Sequence, residues 1–183
     1  MTEVGLFSAL GNLDISVLQV LAGPYGNLSD FLLTEASLIG NGGLVWILLA
    51  VVLVARAETR KAGLAVFVAL FFSLLLTNIT LKPFFDRARP CDLQSWCPKD
   101  PSFPSGHTTS SFAATSALWF TKEKRLMPLA LLMFALASTI AYSRLFLDVH
   151  YPTDCLTGVF LGFVCGYWAV HLTDILRSHK HRA

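Results

Sequence analysis

The chain has 183 residues, of which 54% are hydrophobic and 14% are charged, and its formal net charge is +2. Ordinary soluble domains carry roughly a quarter charged residues, so this composition excludes a typical soluble protein and predicts an integral membrane protein. The near-neutral charge balance gives no basis for binding to nucleic acid. The length fits a single domain, which we place over residues 1–183.

The N-terminal segment, residues 1–22, is apolar with helical spacing, and it carries Glu3 and Asp14. It has no basic leader, so we do not expect a signal peptide. A Gly-Pro pair follows directly, and the apolar stretch is short for a bilayer. We therefore predict an interfacial or re-entrant helix within residues 1–27, with a sixth membrane span as the alternative.

Five later apolar runs have lengths typical of bilayer-spanning helices or close to them. They cover residues 30–55, 62–81, 108–120, 126–142 and 153–172. The first run is interrupted at Gly40-Asn-Gly-Gly43, and the third begins with Thr and Ser side chains that favour the interior of a bundle over lipid. The sequence therefore predicts an all-α, polytopic transmembrane helical bundle with five to six spans.

Basic residues in the short connections predict the orientation of these spans. They cluster after the first, third and fifth runs: Arg56, Arg60, Lys61, Lys122, Lys124, Arg125, Arg177, Lys180 and Arg182. Because short cytoplasmic loops are rich in Lys and Arg, we place these three segments on the cytoplasmic face. The opposite face then receives the loop from Cys91 to Cys97, where an oxidising compartment favours a disulfide. A zinc site is the weaker alternative, since no His or second Cys pair stands near in sequence.

The first of three polar clusters on that opposite face contains Lys82 and Arg89, which are seven residues apart. Near a helix end this separation is about two turns, so we expect both side chains on one face. Lys offers a point charge and Arg a fork that binds two phosphate oxygens. Pro90 is expected to end the turn. Between the two cations, Asp86 and Arg87 are predicted to form a local surface ion pair.

The second cluster is Pro104-Ser105-Gly106-His107, directly before the third run. Ser105 suits a helix N-cap, and the N–H groups beside it can bind an anion. Gly106 lets the backbone approach a phosphate closely. His107 could then protonate a leaving oxygen. A simple helix cap without any ligand is the alternative.

The third cluster contains Arg144, followed by His150 and Asp154. Asp154 lies one helical turn beyond His150 and can accept a hydrogen bond from its ring, which fixes the tautomer and leaves the other nitrogen free to attack. Asp148 is nearer in sequence, but we expect it to be a solvated loop residue. Together the clusters supply three cations, two imidazoles and one orienting carboxylate, which suits the cleavage of a phosphoester bond.

At these residues the chain resembles the type 2 phosphatidic acid phosphatase superfamily. The three parts of its signature are Lys82-x6-Arg89-Pro90, Pro104-Ser-Gly-His107 and Ser143-Arg144-x5-His150-x3-Asp154, all within residues 81–154. The resemblance implies a helical bundle with a vanadium-haloperoxidase-like phosphatase core that needs no metal or other cofactor. His150 would be the nucleophile that forms a phosphohistidine, Asp154 would orient it, and His107 would protonate the leaving group. The remaining positions would bind the phosphate: Lys82, Arg89, Ser105, Gly106 and Arg144.

The resemblance also indicates a substrate class. The predicted spans favour the membrane lipid phosphatase branch over the soluble haloperoxidases, in the bacterial inner membrane with the active site on the periplasmic or extracytoplasmic side. The expected partners are a lipid phosphate and the surrounding membrane lipids, with no oligomeric state predicted. Undecaprenyl diphosphate ranks first, ahead of phosphatidylglycerol phosphate, phosphatidic acid and lipid A 1-phosphate or phosphate transfer to another lipid. A non-catalytic lipid-binding protein or a transporter is the remote alternative.

Overall fold

A computed structural model describes residues 3–23 and 28–180, with the surroundings of side chains described for residues 11–23 and 28–178. Eight α-helices make up most of these residues. They are α1 (Glu3–Leu21), α2 (Leu28–Ile39), α3 (Leu44–Ala55), α4 (Arg60–Ser73), α5 (Lys82–Phe85), α6 (Gly106–Phe120), α7 (Met127–Phe146) and α8 (Pro152–Lys180). A π-helical segment, Leu74–Leu81, joins α4 to α5 without a break.

The described residues contain three helical segments that are long and apolar enough to cross a membrane, namely Arg60–Phe85, Lys124–Phe146 and Pro152–Ser178. Helices α2 and α3 form a fourth candidate span if they are counted as one. This pair bends by 44° at the predicted interruption. The structure therefore confirms an all-helical membrane fold, whereas the predicted count of five to six spans is not confirmed. The N-terminal segment forms α1, which is not among these candidate spans.

The predicted span over residues 108–120 corresponds to α6, which packs in the middle of the bundle. Helix α6 has 15 residues, a length of about 22 Å, which is shorter than a hydrocarbon core of ~30 Å. It packs against α8, α4 and α7. Thr108, Thr109 and Ser111 in its first turns are fully buried, so the prediction that these hydroxyl groups face the interior is confirmed.

Glycines allow α8 to approach α6 closely. A Cβ atom at Gly162 would lie 2.6 Å from the Cβ of Phe112, and one at Gly166 would lie 2.7 Å from the backbone nitrogen of Ala117. The Ser116 hydroxyl donates to the Gly162 carbonyl at 3.1 Å. Small residues four positions apart commonly permit such contacts between membrane helices. The N-terminal ends of α6 and α8 therefore lie side by side, which brings the second cluster next to Asp154 in the first turn of α8.

The break between α2 and α3 places backbone next to the second cluster. Gly42 and Gly43 have φ angles of 60° and 71°, a region that glycine enters without steric cost. A Cβ atom at Gly40 would lie 3.4 Å from Cδ2 of His107. Helix α3 is anchored to α6 by the Trp46 indole, which donates to the Ser111 hydroxyl at 3.0 Å.

The three basic segments lie at the end of the bundle opposite to the clusters. The Arg125 guanidinium donates to the Glu58 carbonyl at 2.6 Å, and Lys61 pairs with Asp174 at 2.6 Å. These contacts join the α3–α4 turn, the α6–α7 connection and the C-terminal part of α8. Of the predicted basic residues, the Lys180 side chain and Arg182 lie outside the described part. At the other end, the structure joins Cys91 and Cys97 in a disulfide.

Candidate active site

A cavity of about 720 Å³ opens between the broken α2–α3 pair, the α4–π segment and the ends of α6 and α7. One face of the α4–π segment lines it turn by turn with Phe67, Phe71, Leu74, Asn78 and Lys82. The lining is therefore mainly apolar along α4 and becomes polar towards the clusters. Phe71 and Leu74 are both exposed, so the apolar part of the cavity opens at the surface of the bundle.

Six of the eight predicted site residues line this cavity: Lys82, Arg89, Gly106, His107, Arg144 and His150. The other two, Ser105 and Asp154, are fully buried beside it. The Ser105 hydroxyl accepts from the Thr108 backbone N–H at 3.4 Å and from the Thr108 hydroxyl at 2.9 Å. Ser105 is thus the predicted N-cap of α6, but it is not part of the cavity wall.

The His150 ring is held from both of its nitrogens. Nδ1 lies 3.4 Å from Oδ2 of Asp154, and Nε2 lies 3.1 Å from Nη1 of Arg89. Because a guanidinium can only donate, the contact with Arg89 requires Nε2 to be unprotonated. The proton of the neutral ring then sits on Nδ1 and faces the carboxylate, which leaves the lone pair of Nε2 for chemistry.

The surroundings of His150 favour this neutral ring. Burial is the main cause that lowers the pKa of His150 to about 4; the hydrogen bond with Asp154 acts in the opposite direction, and the charges of Arg89 and Arg144 lower it further. A His with a pKa this far below 6.5 carries no charge at neutral pH. An uncharged imidazole is the form that can act as a nucleophile.

Asp154 has a partner for each of its carboxylate oxygens. Oδ1 accepts from Nη1 of Arg87 at 2.7 Å, and Oδ2 accepts from the Tyr151 backbone N–H at 2.9 Å. Oδ2 also accepts from the Ser102 hydroxyl. In addition, the Ser105 backbone N–H donates to the Asp154 carbonyl at 3.1 Å, which links the second cluster directly to the third.

The prediction that Arg87 forms a surface ion pair with Asp86 is wrong. Arg87 is partly buried, pairs with Asp154, and also pairs through Nη2 with Asp14 of α1 at 2.8 Å. Its guanidinium lies 4.0 Å from the centroid of the Tyr151 ring. Asp14 is only 3% exposed and also accepts from the Thr153 backbone N–H at 3.0 Å. A carboxylate within an apolar helix is a sequence signal for a specific buried partner. Through this partner, Asp14 ties α1 to the site.

The prediction that Lys82 and Arg89 share one helix face is also wrong. Helix α5 ends at Phe85, and Asp86 adopts a left-handed conformation with φ 42°, so Arg89 lies in the loop that follows. The two cations converge instead on Asp100. Lys82 donates to its Oδ2, and Arg89 donates to its Oδ1 at 2.9 Å and to its carbonyl oxygen at 2.8 Å.

Arg144 is held less completely than the other two cations. It is 7% exposed, and its Nη1 donates to the hydroxyl of Ser37 in α2. Its Nε is buried and has no hydrogen-bond partner among the residues that the structure describes. A buried charged donor without an acceptor is costly. Arg144 also lines the cavity, so its guanidinium contributes positive charge to the cavity wall.

The sequence reasoning missed several residues of this site: Asp14, Ser37, Asn78, Arg87, Asp100 and Ser102. A Cβ atom at Gly106 would lie 3.0 Å from Oδ1 of Asn78, so a side chain at this position would require the Asn78 side chain to shift. Within the described part of the chain, no group of three or more His, Cys, Asp and Glu side chains could hold a metal ion.

Comparison with known proteins assigns the chain to a family. The sequence profile of the PAP2 superfamily matches residues 62–177. Undecaprenyl-diphosphatase BcrC of Bacillus subtilis is 30% identical over 135 residues, which cover 72% of this chain and 68% of that protein. Decaprenylphosphoryl-5-phosphoribose phosphatase of Mycolicibacterium smegmatis is 33% identical over 149 residues, covering 79% and 78% of the two chains.

The fold agrees with a solved structure as well. The crystal structure of Aquifex aeolicus LpxE superposes with a TM-score of 0.73 at 24% identity, covering 87% of this chain and 95% of the other. At this identity the likeness concerns the fold alone. The profile match covers more than half of the chain and includes all three clusters. The chain therefore belongs to the PAP2 superfamily, and it is a membrane lipid phosphatase.

Proposed function

We propose that the protein hydrolyses the terminal phosphate of a polyprenyl lipid without a metal ion, with undecaprenyl diphosphate, converted to undecaprenyl phosphate, as the first candidate. The observation that carries this proposal is the composition of the cavity wall. Three cations and two imidazoles lie at one part of the cavity, and an exposed apolar surface continues from it along α4. A phosphorylated lipid has the same two parts in the same order.

The phosphate would bind among the side chains of Lys82, Arg89 and Arg144. All three side chains line the same cavity, which supports an anion at this point. The first N–H groups of α6 have no acceptor within the helix, and at Gly106 no side chain shields them. Ser105 would contribute by capping α6 rather than by touching the ligand. These donors would also stabilise the charge that develops on the phosphoryl oxygens in the transition state.

The reaction would take place in two steps at His150. In the first, the lone pair of Nε2 forms a bond to phosphorus, the bond to the leaving oxygen breaks, and His107 protonates that oxygen. The Nδ1–H of His150 remains hydrogen-bonded to Asp154, which stabilises the positive ring. In the second step, the oxygen of a water molecule forms a bond to phosphorus while His107 takes up a proton from it, the Nε2–P bond breaks and returns its electron pair to Nε2, and inorganic phosphate leaves. Arg89, which donates to Nε2, would transfer its hydrogen bond to the phosphate.

The names of the two relatives support the choice of lipid. Both act, by those names, on a lipid with a long polyprenyl chain. We therefore rank polyprenyl phosphates ahead of phosphatidylglycerol phosphate, phosphatidic acid and lipid A. The site would face the extracytoplasmic side of a bacterial inner membrane. Two features support this side: the basic segments lie at the opposite end of the bundle, and the loop beside the site carries a disulfide.

The test is phosphate release by the purified protein in detergent. Undecaprenyl diphosphate, undecaprenyl phosphate, phosphatidylglycerol phosphate, phosphatidic acid and lipid A would be compared, with His150→Ala as the blank. We expect the highest kcat/KM for undecaprenyl diphosphate, unchanged by EDTA. Preference for a glycerophospholipid would refute the substrate assignment. Activity that EDTA removes and a divalent ion restores would refute the metal-free mechanism, and release no greater than the blank on every lipid would refute the catalytic proposal.

A further inference from the structure

The carboxylate of Asp100 occupies the position where a phosphate is expected. It receives hydrogen bonds from Lys82 on one oxygen and from Arg89 on the other, and it lines the cavity. A phosphoryl group that binds the same two cations has to present its oxygens in place of this carboxylate or beside it. Three cationic side chains line the cavity, and the negative charge of Asp100 offsets one of their charges. A ligand therefore meets a net surplus of two positive charges.

The contacts of Arg89 show that the carboxylate is not needed to hold the arginine in place. Arg89 donates to the backbone carbonyls of Asp100 at 2.8 Å and of Val149 at 2.9 Å. Both acceptors would remain after a change of the Asp100 side chain. That side chain is 54% exposed, in contrast to the buried side chains of Lys82 and Arg89. A half-exposed carboxylate on two buried cations is free to move aside when another anion arrives.

Asp100 remains ionised in this position. Burial alone would raise the pKa of its carboxyl group, but the hydrogen bond from Lys82 and the charges of Lys82 and Arg89 outweigh that effect and lower the pKa. Every anion that enters therefore competes with a single negative charge.

This competition depends on the charge of the incoming group. A phosphodiester headgroup carries one negative charge, so its exchange for the carboxylate replaces one monoanion by another with little gain. A terminal phosphate monoester or diphosphate carries two or more charges near pH 8, so it gains a net Coulombic attraction from the same cations. Membranes contain phosphodiester lipids in large excess over phosphorylated carriers, which gives such a selection a purpose.

We propose that Asp100 is a specificity-determining residue. This inference rests on the proposed function of this site. Its carboxylate excludes monoanionic phosphodiester headgroups from Lys82 and Arg89 and admits terminal phosphates of higher charge. It does so as a competing anion, so it takes no part in the formation or cleavage of a bond.

The experiment measures inhibition of undecaprenyl diphosphate hydrolysis by phosphatidylglycerol in mixed micelles at pH 8. Asp100→Asn keeps the size of the side chain and removes its charge. We expect this variant to be inhibited at about tenfold lower phosphatidylglycerol than the wild type, which corresponds to ~1.4 kcal/mol. Asp100→Glu retains the carboxylate and should resemble the wild type. Asp92→Asn removes a charge from an exposed residue of the same loop and should have no effect.

A second measurement keeps the two proposals distinguishable. The shift in melting temperature on addition of phosphatidylglycerol reports binding without turnover, and we expect a larger shift for Asp100→Asn than for the wild type. Equal inhibition and equal shifts in the two proteins would overturn the inference while leaving the phosphatase proposal intact. Weaker inhibition of Asp100→Asn would also overturn it, by showing that the carboxylate positions the cations. A wild type without activity would refute the phosphatase proposal, and the melting shifts would still decide the role of Asp100.

Discussion

The two sides of the His150 ring differ in how completely their polar groups are satisfied. On the Nδ1 side, Asp154 accepts from Arg87, Ser102 and the Tyr151 backbone, and Arg87 in turn pairs with the buried Asp14. On the Nε2 side, three cations face a cavity with one half-exposed carboxylate between two of them. The Nε of the third cation, Arg144, has no partner in the described chain.

The difference separates positioning from binding. Buried charges that are fully paired hold one geometry, because a shift of any member would leave another member uncompensated. Surplus positive charge at a cavity has the opposite use, since it is satisfied only when a ligand arrives. Changes on the Nδ1 side should therefore reduce kcat with little effect on KM. Changes on the Nε2 side should raise KM and also reduce kcat, because the same cations would bind the phosphate and stabilise the transition state.

Asp154→Asn should have the largest effect. The amide cannot select the Nδ1-protonated tautomer as the carboxylate does, so we expect kcat to fall by about 10³–10⁴-fold, as in other His–Asp pairs, with KM little changed. Steady-state kinetics with undecaprenyl diphosphate measures this. Asp148→Asn is the matched control, because Asp148 has φ 54°, a conformation that Asn adopts readily. A loss of similar size in the control would contradict the assignment of Asp154.

Arg144→Gln tests the Nε2 side. Removal of a buried cation that lines the cavity should reduce kcat/KM by about 100-fold, through a higher KM as well as a lower kcat. The comparison would be Arg125→Gln, which removes an Arg at the opposite end of the bundle and should leave both constants unchanged. The division into two sides would fail if Arg144→Gln reduced kcat and left KM unchanged.

Arg87→Gln tests whether positioning extends beyond direct contact with His150. It removes a charged donor from Asp154 and leaves Asp14 buried without its cation, so we expect kcat to fall by about 10–100-fold, the range for one charged hydrogen bond. The double variant Arg87→Gln/Asp14→Asn should regain thermal stability, because it removes the unpaired carboxylate. An increase in KM at constant kcat would place Arg87 with the binding residues instead.

The pH dependence of stability tests whether the His150 ring is held in its neutral form. Because the pKa of His150 in the folded protein is about 4, the unfolded chain binds the extra proton first as pH falls below 6.5. Stability should therefore decrease as pH is lowered from 7 towards 4, by up to ~3 kcal/mol from this residue. Melting temperatures of the wild type and His150→Gln in detergent, measured from pH 7 to pH 5, should converge. Parallel curves would show that His150 is not held neutral.

Local signals in the sequence predicted the parts of this site that depend on near neighbours. Ser105 caps α6, Pro152 begins α8, and the glycines from Gly40 to Gly43 break the first apolar run. Each of these follows from the conformational preference of one residue in its own segment. For the same reason His150 and Asp154, one turn apart, could be placed together before the structure was known.

Long-range contacts could not be predicted in this way. Asp14 reaches the site from a helix 73 residues away from Arg87 in sequence. Asp100 reaches it from an irregular loop 18 residues after Lys82, and no periodicity links either carboxylate to its cation. The predicted common face of Lys82 and Arg89 failed because the helix ends at Phe85, before Pro90 could end it. The predicted span count is not confirmed, because α6 has only 15 residues and is not among the candidate spans.

The most direct test of the two-sided site is to trap the phosphorylated enzyme. Undecaprenyl diphosphate labelled in its terminal phosphate would be mixed with the protein for milliseconds and quenched in alkali, in which phosphohistidine survives. The account predicts label on the wild type and on Asp92→Asn, none on His150→Gln, and retained label on His107→Gln if its loss slows the second step more than the first. Mass spectrometry should locate the phosphate on His150. Label on His150→Gln, or on another residue of the wild type, would contradict the assignment of Nε2 as the nucleophile.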